Sequence, residues 1–473
     1  MPEATTGVWA VKFKGIKMTK IVPDIIKNKK ELLSHGFIKG RETCVDIIEY
    51  ALSEVDPYYA THKAVQRQGL ILTVDRQIYD LSSINNIYII GAGKATFRQA
   101  MALDEILGDL ITEGLIVIKH GQAGPLNHIR IIESAHPVPD DNSFTGGLEI
   151  IKIAEKAGEK DLVICLMSGG VSSNCCCPVA GITKQDKIEM NRLLVHCGAQ
   201  VTEIMTVRRH LSQIKGGRLA LKLQPAVCIT LTVSDSIGDP LEWNADWTHP
   251  DSSSFQDAVD ILHRYSLWKK LPINISRFFS EFTPEKETPK ELKNFVIQYC
   301  MTVKTEDLWK AAMKKAQDLG FSAHILTMEL KGESREAGRV LTSIAKTAKN
   351  SGLSFKAPCA LIATGETGVR IDGKTTGLGG ANQELGCGAC LDLSREDTIV
   401  VGAVDTDGTD GPTDFAGALT DGYSVFAAKQ LGIDYHKELM EHNSTDLLKR
   451  SGDLIYTGHT GSNVNDLVVC LIL

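Results

Sequence analysis

The chain lacks the cysteine patterns that would signal a disulfide framework or a zinc site. Its twelve cysteines are scattered over 473 residues, three of them consecutive at Cys175–Cys177, and the nearest approach to paired ligands, Cys387-Gly-Ala-Cys390, has no second pair. Structural thiols in a reducing cytoplasm are the expectation. Long apolar runs are also missing. The longest uncharged segment, Leu162–Thr183, is broken by Ser168-Gly169-Gly170 and Ser172-Ser173-Asn174, unlike the roughly 20 apolar residues of a membrane span. Met1–Lys20 carries scattered lysines and no apolar centre, which excludes the pattern of a secretory signal or anchor. Charge of one sign is not in excess either: 51 basic against 58 acidic residues leave a net charge of −7, so nothing global attracts nucleic acid or an anionic membrane. The expected partner is a small molecule, and a homodimer is compatible with the composition. The turn at Gly91–Lys94 also lacks two nucleotide-binding signatures, the GxxxxGK[ST] phosphate loop and the GxGxxG dinucleotide fingerprint.

What is present reads as globular α/β. At 43% hydrophobic residues the chain has material for two or three cores. Residues 41–51 suit a helix, residues 60–68 continue helically, and Leu70–Val74 and Asn86–Ile90 read as strands. The second strand breaks at Gly91 and Gly93, and Lys94 leads into a helix. Glycines permit a sharp turn and close approach to a ligand, and a helix start offers N–H groups to an anion. Further β-branched runs follow at Gly114–Ile118 and Ile129–Ser134, the latter leading into His136-Pro-Val-Pro-Asp140, with Asn142 or Ser143 as cap of the next helix. Asp161–Met167 and Ala226–Val233 are continuous apolar runs of the kind buried in a parallel sheet, and they empty into Ser168-Gly169-Gly170 and Ser234-Asp235. Strands alternating with helices predict right-handed βαβ units whose strand exits line a crevice.

Between residues 266 and 304 prolines and a Glu-Lys-Glu run mark a connection. The resulting division is an N-terminal extension over 1–40, an N-terminal α/β domain over 41–290 and a C-terminal α/β domain over 305–473. In the last of these a glycine-rich stretch ends at Gly379-Gly380 before a helix starting near Asn382 and Glu384. The strand Thr398–Val404 then runs into Asp405-Thr-Asp407-Gly-Thr-Asp410-Gly-Pro-Thr-Asp414.

Eight segments in order, Gly91–Ala95, His136–Asp140, Ser168–Gly170, Val207–Ala220, Ser234–Pro240, Gly379–Leu385, Gly408–Ala418 and Gly461–Leu467, resemble the class II glycerate 2-kinases, whose C-terminal part is the MOFRL domain. The resemblance runs from about Arg41 to Leu473. It implies two α/β domains with mainly parallel sheets and an interdomain active-site cleft, and transfer of the ATP γ-phosphoryl group to the 2-hydroxyl of D-glycerate with Mg2+. Phosphoryl transfer asks for positioning and charge stabilisation, and each requirement has a candidate. Lys94 matches the lysine of the family's Gly-Ala-Gly-Lys-Ala turn and is assigned, with Arg208 and Asp235, to the chemistry. Asp235 and Asp239 could accept the hydroxyl proton or bind magnesium. Gly91, Gly93, Ser168, Gly169, Gly170, Lys215, Gly379, Gly380, Asn382, Glu384 and Asn463 are assigned to nucleotide and anion binding, and Asp239, Asp405, Asp407 and Asp410 to metal. His210 offers a further charge, and Asp466 either caps or binds.

Three departures from the family pattern bear on specificity. Ala381 stands where the family has an arginine within Gly-Gly-Arg-Asn-Gln-Glu, which removes a planar cationic fork. Trp243–Thr248 reshapes the loop after Asp239-Pro240, and Asn174–Cys177 makes an apolar wall partly polar. A kinase for another sugar acid and a catalytically silent nucleotide- or metabolite-binding homologue therefore stand beside the glycerate reading. A hydroxypyruvate reductase is disfavoured by the missing dinucleotide fingerprint.

Overall fold

The computed structural model describes residues 8–12, 17–21, 24–236, 241, 243, 245–371 and 377–473. The chain divides into two compact units, Pro57–Thr302 and the pair Met1–Asp56 with Val303–Leu473. The first is inserted within the second. This differs from a boundary at residue 41, because helix Ile38–Glu54 packs on the C-terminal sheet. Its Cys44, Ile47, Ile48 and Ala51 are fully buried, and a Cβ on Gly402 would stand 2.6 Å from Ile48 Cδ1 and 2.7 Å from Cys44 Sγ. An amphipathic helix goes where a complementary apolar face awaits it, which sequence proximity does not reveal.

The inserted unit is built on a six-stranded sheet of β1 (Asn86–Ala92), β2 (Glu113–Lys119), β3 (Ile129–Ser134), β4 (Asp161–Met167), β5 (Val227–Val233) and β6 (Ile297–Val303). Their spatial order is β6-β5-β4-β1-β2-β3, and the four pairings from β5 to β3 are parallel. Alternate side chains serve two cores. Ile90, Val117, Val163 and Cys165 pack with Ile150 and Ala154 of helix Asp141–Ala154, while Ile89, Ile116, Ile164 and Leu166 pack with Leu103 and Leu107 of helix Thr96–Leu107. Burial on both faces is why these strands read as unbroken apolar runs. The cap of helix Asp141–Ala154 is Asp140, in a reciprocal box with Ser143, rather than Asn142 or Ser143. Residues 60–68 do not stay helical: the helix ends at Ala64, and Val65–Gln68 pairs antiparallel with Ile71–Val74 across Gly69, whose φ is +62°. A satellite core joins helices Lys184–His196, Val201–His210, Phe255–Arg264 and Ile273–Ser280 through Leu194, Val207, Phe255 and Ile275.

The other unit also carries six strands, β7 (Ser322–Thr327), β8 (Cys359–Thr364), β9 (Ile399–Asp405), β10 (Gly417–Asp421), β11 (Leu454–Ile455) and β12 (Asp466–Ile472), in the order β7-β8-β12-β9-β10-β11. Only β7–β8 is parallel; the remaining pairs are antiparallel. The expectation of a mainly parallel sheet is corrected here. A strand covered on both faces is apolar throughout whichever way it runs, so burial does not encode direction. Arg41, fully buried, ties the unit together, with Nε 2.6 Å from Asp421 Oδ2 and a terminal nitrogen 2.8 Å from Asp453 Oδ1. Among the described residues no helix is long and apolar enough to cross a membrane, and all twelve cysteines are free thiols.

Candidate active site

In the inserted unit the strand order reverses between β1 and β4: chain order continues outward from β1 through β2 to β3, and from β4 through β5 to β6 on the other side. The loops leaving the carboxyl ends of β1 and β4 thus flank the switch point, where open α/β sheets bind ligands. They are Gly93-Lys94 and Ser168-Gly169-Gly170. The two turns are hydrogen-bonded to each other: Lys94 N–H donates to the Gly169 carbonyl at 2.9 Å, and Ala95 N–H to Ser168 Oγ at 3.0 Å. Ser168 is only 3% exposed and is consumed in this contact. Its hydroxyl also lies 3.3 Å from Thr96 Oγ1, so it braces the turn expected to hold an anion. Gly91 and Gly93 are needed for close approach, since a Cβ would fall 2.5 Å from the Leu166 carbonyl oxygen and 2.3 Å from Ser168 Oγ respectively.

Gly170, with φ +87°, is where the crevice groups converge. A Cβ there would stand 3.1 Å from Lys94 Cγ, 3.2 Å from His136 Cδ2 and 3.3 Å from Asn174 Oδ1. Asn174 is fully buried and donates to Ser134 Oγ at 3.1 Å, but its Oδ1 accepts nothing among the described residues. A buried acceptor left open beside a lysine and a histidine is a polar position awaiting a donor, such as a substrate hydroxyl. His136 and Asn174 were not singled out as binding residues in the sequence. The one available signal was a histidine-proline loop leaving a strand opposite a polar Ser-Ser-Asn continuation. Asp235 follows β5, the neighbour of β4, and accepts from Ser236 Oγ at 3.2 Å. Asp239 lies outside the described residues.

The basic segment divides into structural and available charge. Lys215, 3% exposed, pairs with Asp246 at 2.8 Å, and Arg209 bridges Asp246 and Asp251 at 2.8 and 3.0 Å. Burial alone would raise the Asp246 carboxyl, but Lys215 and Arg209 outweigh it and hold it below its ordinary range. Lys215 thereby anchors the loop containing Trp247, which is fully buried, so its ammonium is already paired. His210 is buried against Glu287 at 2.9 Å. Arg208, by contrast, stays half-buried with its Nε on the neutral Asn191 Oδ1 at 3.1 Å.

In the C-terminal unit the acidic loop and the glycine stretch interlock. Asp410 is buried and accepts the Asn382 and Gln383 N–H groups at 3.0 and 2.8 Å, capping helix Ala381–Leu391, while burial pushes its carboxyl up to about 6. A Cβ on Gly380 would meet that carboxylate at 2.2 Å, and one on Gly379 the Ser444 hydroxyl at 2.2 Å. Asp407 accepts from Thr409 N–H and Oγ1 at 2.8 and 2.6 Å. Asp407 and Asp410 are thus held in turn and cap roles. Among the described residues no group of three or more His, Cys, Asp or Glu is arranged to hold a metal ion. Asp405 differs, because it faces Asp466 across the β9–β12 pair, and burial together with Asp405, Glu366 and Asp410 pushes the Asp466 carboxyl far up. Glu384 is buried and bonded to His442 Nδ1 at 2.6 Å. Asn463 is buried as well, and Ala381 is half-buried at the helix start. Arg370 is exposed, its backbone N–H 3.4 Å from Glu333 Oε1.

Comparison with known proteins identifies the family. Residues 43–280 match the model described as a domain of unknown function (DUF4147), and residues 359–466 match the MOFRL family. The chain is 38% identical over 439 residues to a protein named glycerate 2-kinase from Pyrococcus horikoshii, covering 91% of this chain and 97% of that one. It is 36% identical over 437 residues to a D-glycerate 2-kinase of Thermotoga maritima, covering 92% of this chain and 98% of that protein. A solved structure of a Thermotoga maritima glycerate kinase aligns with a TM-score of 0.77 at 35% identity, covering 91% and 99% of the two chains. The chain belongs to the glycerate 2-kinase family, in the branch that carries a C-terminal MOFRL region.

Proposed function

We propose that the protein transfers the γ-phosphoryl group of ATP to the 2-hydroxyl of D-glycerate, giving 2-phosphoglycerate and ADP. The observation that carries this reading within the fold is the meeting of Lys94, His136 and Asn174 around Gly170 at the switch point of a parallel sheet. Lys94 supplies a mobile positive charge to a phosphate or to the acid's carboxylate. Asn174 Oδ1 accepts from a substrate hydroxyl. Asp235 takes the proton of the attacking 2-hydroxyl as the new O–P bond forms and the bond to ADP breaks. Arg208 offsets negative charge, and Gly91, Gly93, Gly169 and Gly170 let the backbone come close to the ligand.

In the C-terminal unit we assign nucleotide contacts to Gly379, Gly380, Asn382, Glu384 and Asn463. The Asp405–Asp466 pair fits a divalent cation by the chemistry of its donors. Mg2+ commonly takes one or two carboxylates, with waters and phosphates completing its shell, so a three-carboxylate cage is not required. Bound there, Mg2+ would neutralise charge on phosphate oxygens. Asp407 and Asp410 support this pair through the loop, and Asp239 remains a further oxygen donor by sequence. Twelve free thiols and the absence of a membrane-crossing helix among the described residues support a cytoplasmic setting.

Ala381 favours a second reading, a kinase for another small sugar acid. Losing a charge-assisted contact to a carboxylate costs about 1.5–3 kcal/mol, roughly ten- to a hundredfold in affinity, enough to redirect the acceptor. Coupled ADP release with glycerate, erythronate and threonate separates the two readings. Turnover of D-glycerate above the others supports the first; preference for a longer acid supports the second. ATP binding without ADP release from any acid would sink both in favour of a silent homologue.

A further inference from the structure

Lys187, in helix Lys184–His196, is 3% exposed, yet its Nζ has no hydrogen-bond partner among the described residues. The charged and titratable groups acting on it are Cys176, Arg208, Lys215 and Asp246. Asp246 is already shared by Lys215 and Arg209, and Arg209 has Asp251 as well, so two cations and two carboxylates close that network. Lys187 and Arg208 stand outside it. Among the described residues Arg208 donates to the neutral Asn191, and Cys176 is a thiol that burial pushes up and so keeps uncharged at neutral pH. A buried and a half-buried cationic side chain are therefore left with no carboxylate partner among the described residues. Desolvation without a partner disfavours the charged amine, and Lys187 is lowered to about 7.

The pair also lies against the crevice. Cys176 Sγ is 3.2 Å from the Ser172 carbonyl oxygen, and Ser172 Oγ is 3.8 Å from Met205 Sδ, one turn before Arg208. Ser172 belongs to the short helix Val171–Asn174 that starts at Gly170, beside Lys94. A positive pair on the flank of a ligand crevice, Lys187 buried and Arg208 half-buried, is arranged to receive an anion.

We propose that Lys187 and Arg208 form an oxyanion subsite of this crevice, which takes either the carboxylate of the acceptor acid or a phosphate oxygen of the donor. The identity of these ligands, though not the subsite, rests on the kinase reading. An anion arriving beside Lys187 restores the charged amine, so binding above neutral pH takes up a proton.

Isothermal titration calorimetry of the full-length protein at pH 8, in two buffers of different ionisation enthalpy, measures that uptake with D-glycerate and with ADP as separate probes. Uptake with one probe identifies which oxyanion enters. Lys187→Met is expected to abolish the uptake and weaken that probe about tenfold or more. Its melting temperature should stay equal or rise, because a buried amine without a hydrogen-bond partner is removed. Arg208→Gln, which leaves Lys187 in place and so serves if Lys187→Met does not fold, should weaken the same probe while keeping the uptake. No uptake by the wild type with either probe, or full uptake by Lys187→Met, overturns the subsite. Uptake without ADP release from any acid would leave the subsite standing and remove the kinase reading.

Discussion

Asp466 and Asp405 face each other across neighbouring antiparallel strands, and the buried Asp466 keeps its proton well above the ordinary carboxyl range. In the unfolded chain the same group ionises near ~3.9. The folded state therefore binds more protons than the unfolded state above that pH, and stability falls as pH rises towards the folded value. Asp410, lifted to about 6, adds a loss of the same sign up to about pH 7, and Lys187, lowered to about 7, adds the opposite slope above it, so the difference between wild type and an Asp466 variant is what reports Asp466. Asp466→Asn should flatten the fall in melting temperature between pH 6 and 8; an unchanged profile would show that Asp466 ionises normally.

Lys94 stands at the switch point, half-buried, with its side chain against Gly170. Lys94→Ala is expected to lower kcat/KM for the preferred acid by roughly 10²–10³-fold, the scale of losing a fixed charge-stabilising group. Melting temperature should hardly move. Loss of activity only in step with loss of fold would assign Lys94 a structural role.

Gly93 adopts φ +124° with Ser168 Oγ 2.3 Å from the place of a Cβ. Gly93→Ala should cost about 2 kcal/mol or more, since the backbone conformation and the contact both resist a methyl group. Urea denaturation measures this directly, and a stability equal to wild type would mean that the two turns separate easily.

Arg41 lies fully buried between Asp421 and Asp453. Replacing it by Leu strands two carboxylates, for which about 3–5 kcal/mol is the usual cost of breaking a buried pair. The expected result is early loss of the C-terminal unit's transition in chemical denaturation; a cost under about 1 kcal/mol would indicate that water reaches both acids.

Ala381 opens helix Ala381–Leu391 half-buried, with no side chain able to grip an anion. Ala381→Arg should lower KM for D-glycerate about tenfold, equivalent to ~1.4 kcal/mol, if the acid has lost a carboxylate contact here. A KM that stays constant or rises would show that this chain's acceptor is recognised by other groups.

The parts of the site legible in the sequence were those written in local pattern. Asn86–Ala92, Asp161–Met167 and Val227–Val233 are unbroken apolar runs ending in glycine or hydroxyl turns, and they became adjacent parallel strands whose exits gather Lys94 and Gly170. Pairings made over long distances were not legible. Nothing near Lys215 announces Asp246 as its partner, so an anchored lysine read as an available one. Lys187 sits on a helix rich in polar residues, and only the packing of that helix makes it buried. The direction of β12, set between β8 and β9, follows from its placement by the whole unit rather than from its own seven residues.

That placement has a consequence for how the protein is made. β12 is translated after every other strand of its sheet, yet it occupies the middle of that sheet, and the helix Ile38–Glu54 that packs on it is translated before all of them. The inserted unit, Pro57–Thr302, is contiguous and can fold during synthesis. Its sister cannot. The apolar face of Cys44, Ile47, Ile48 and Ala51 must wait without its complete sheet while the roughly four hundred residues between it and β12 are translated.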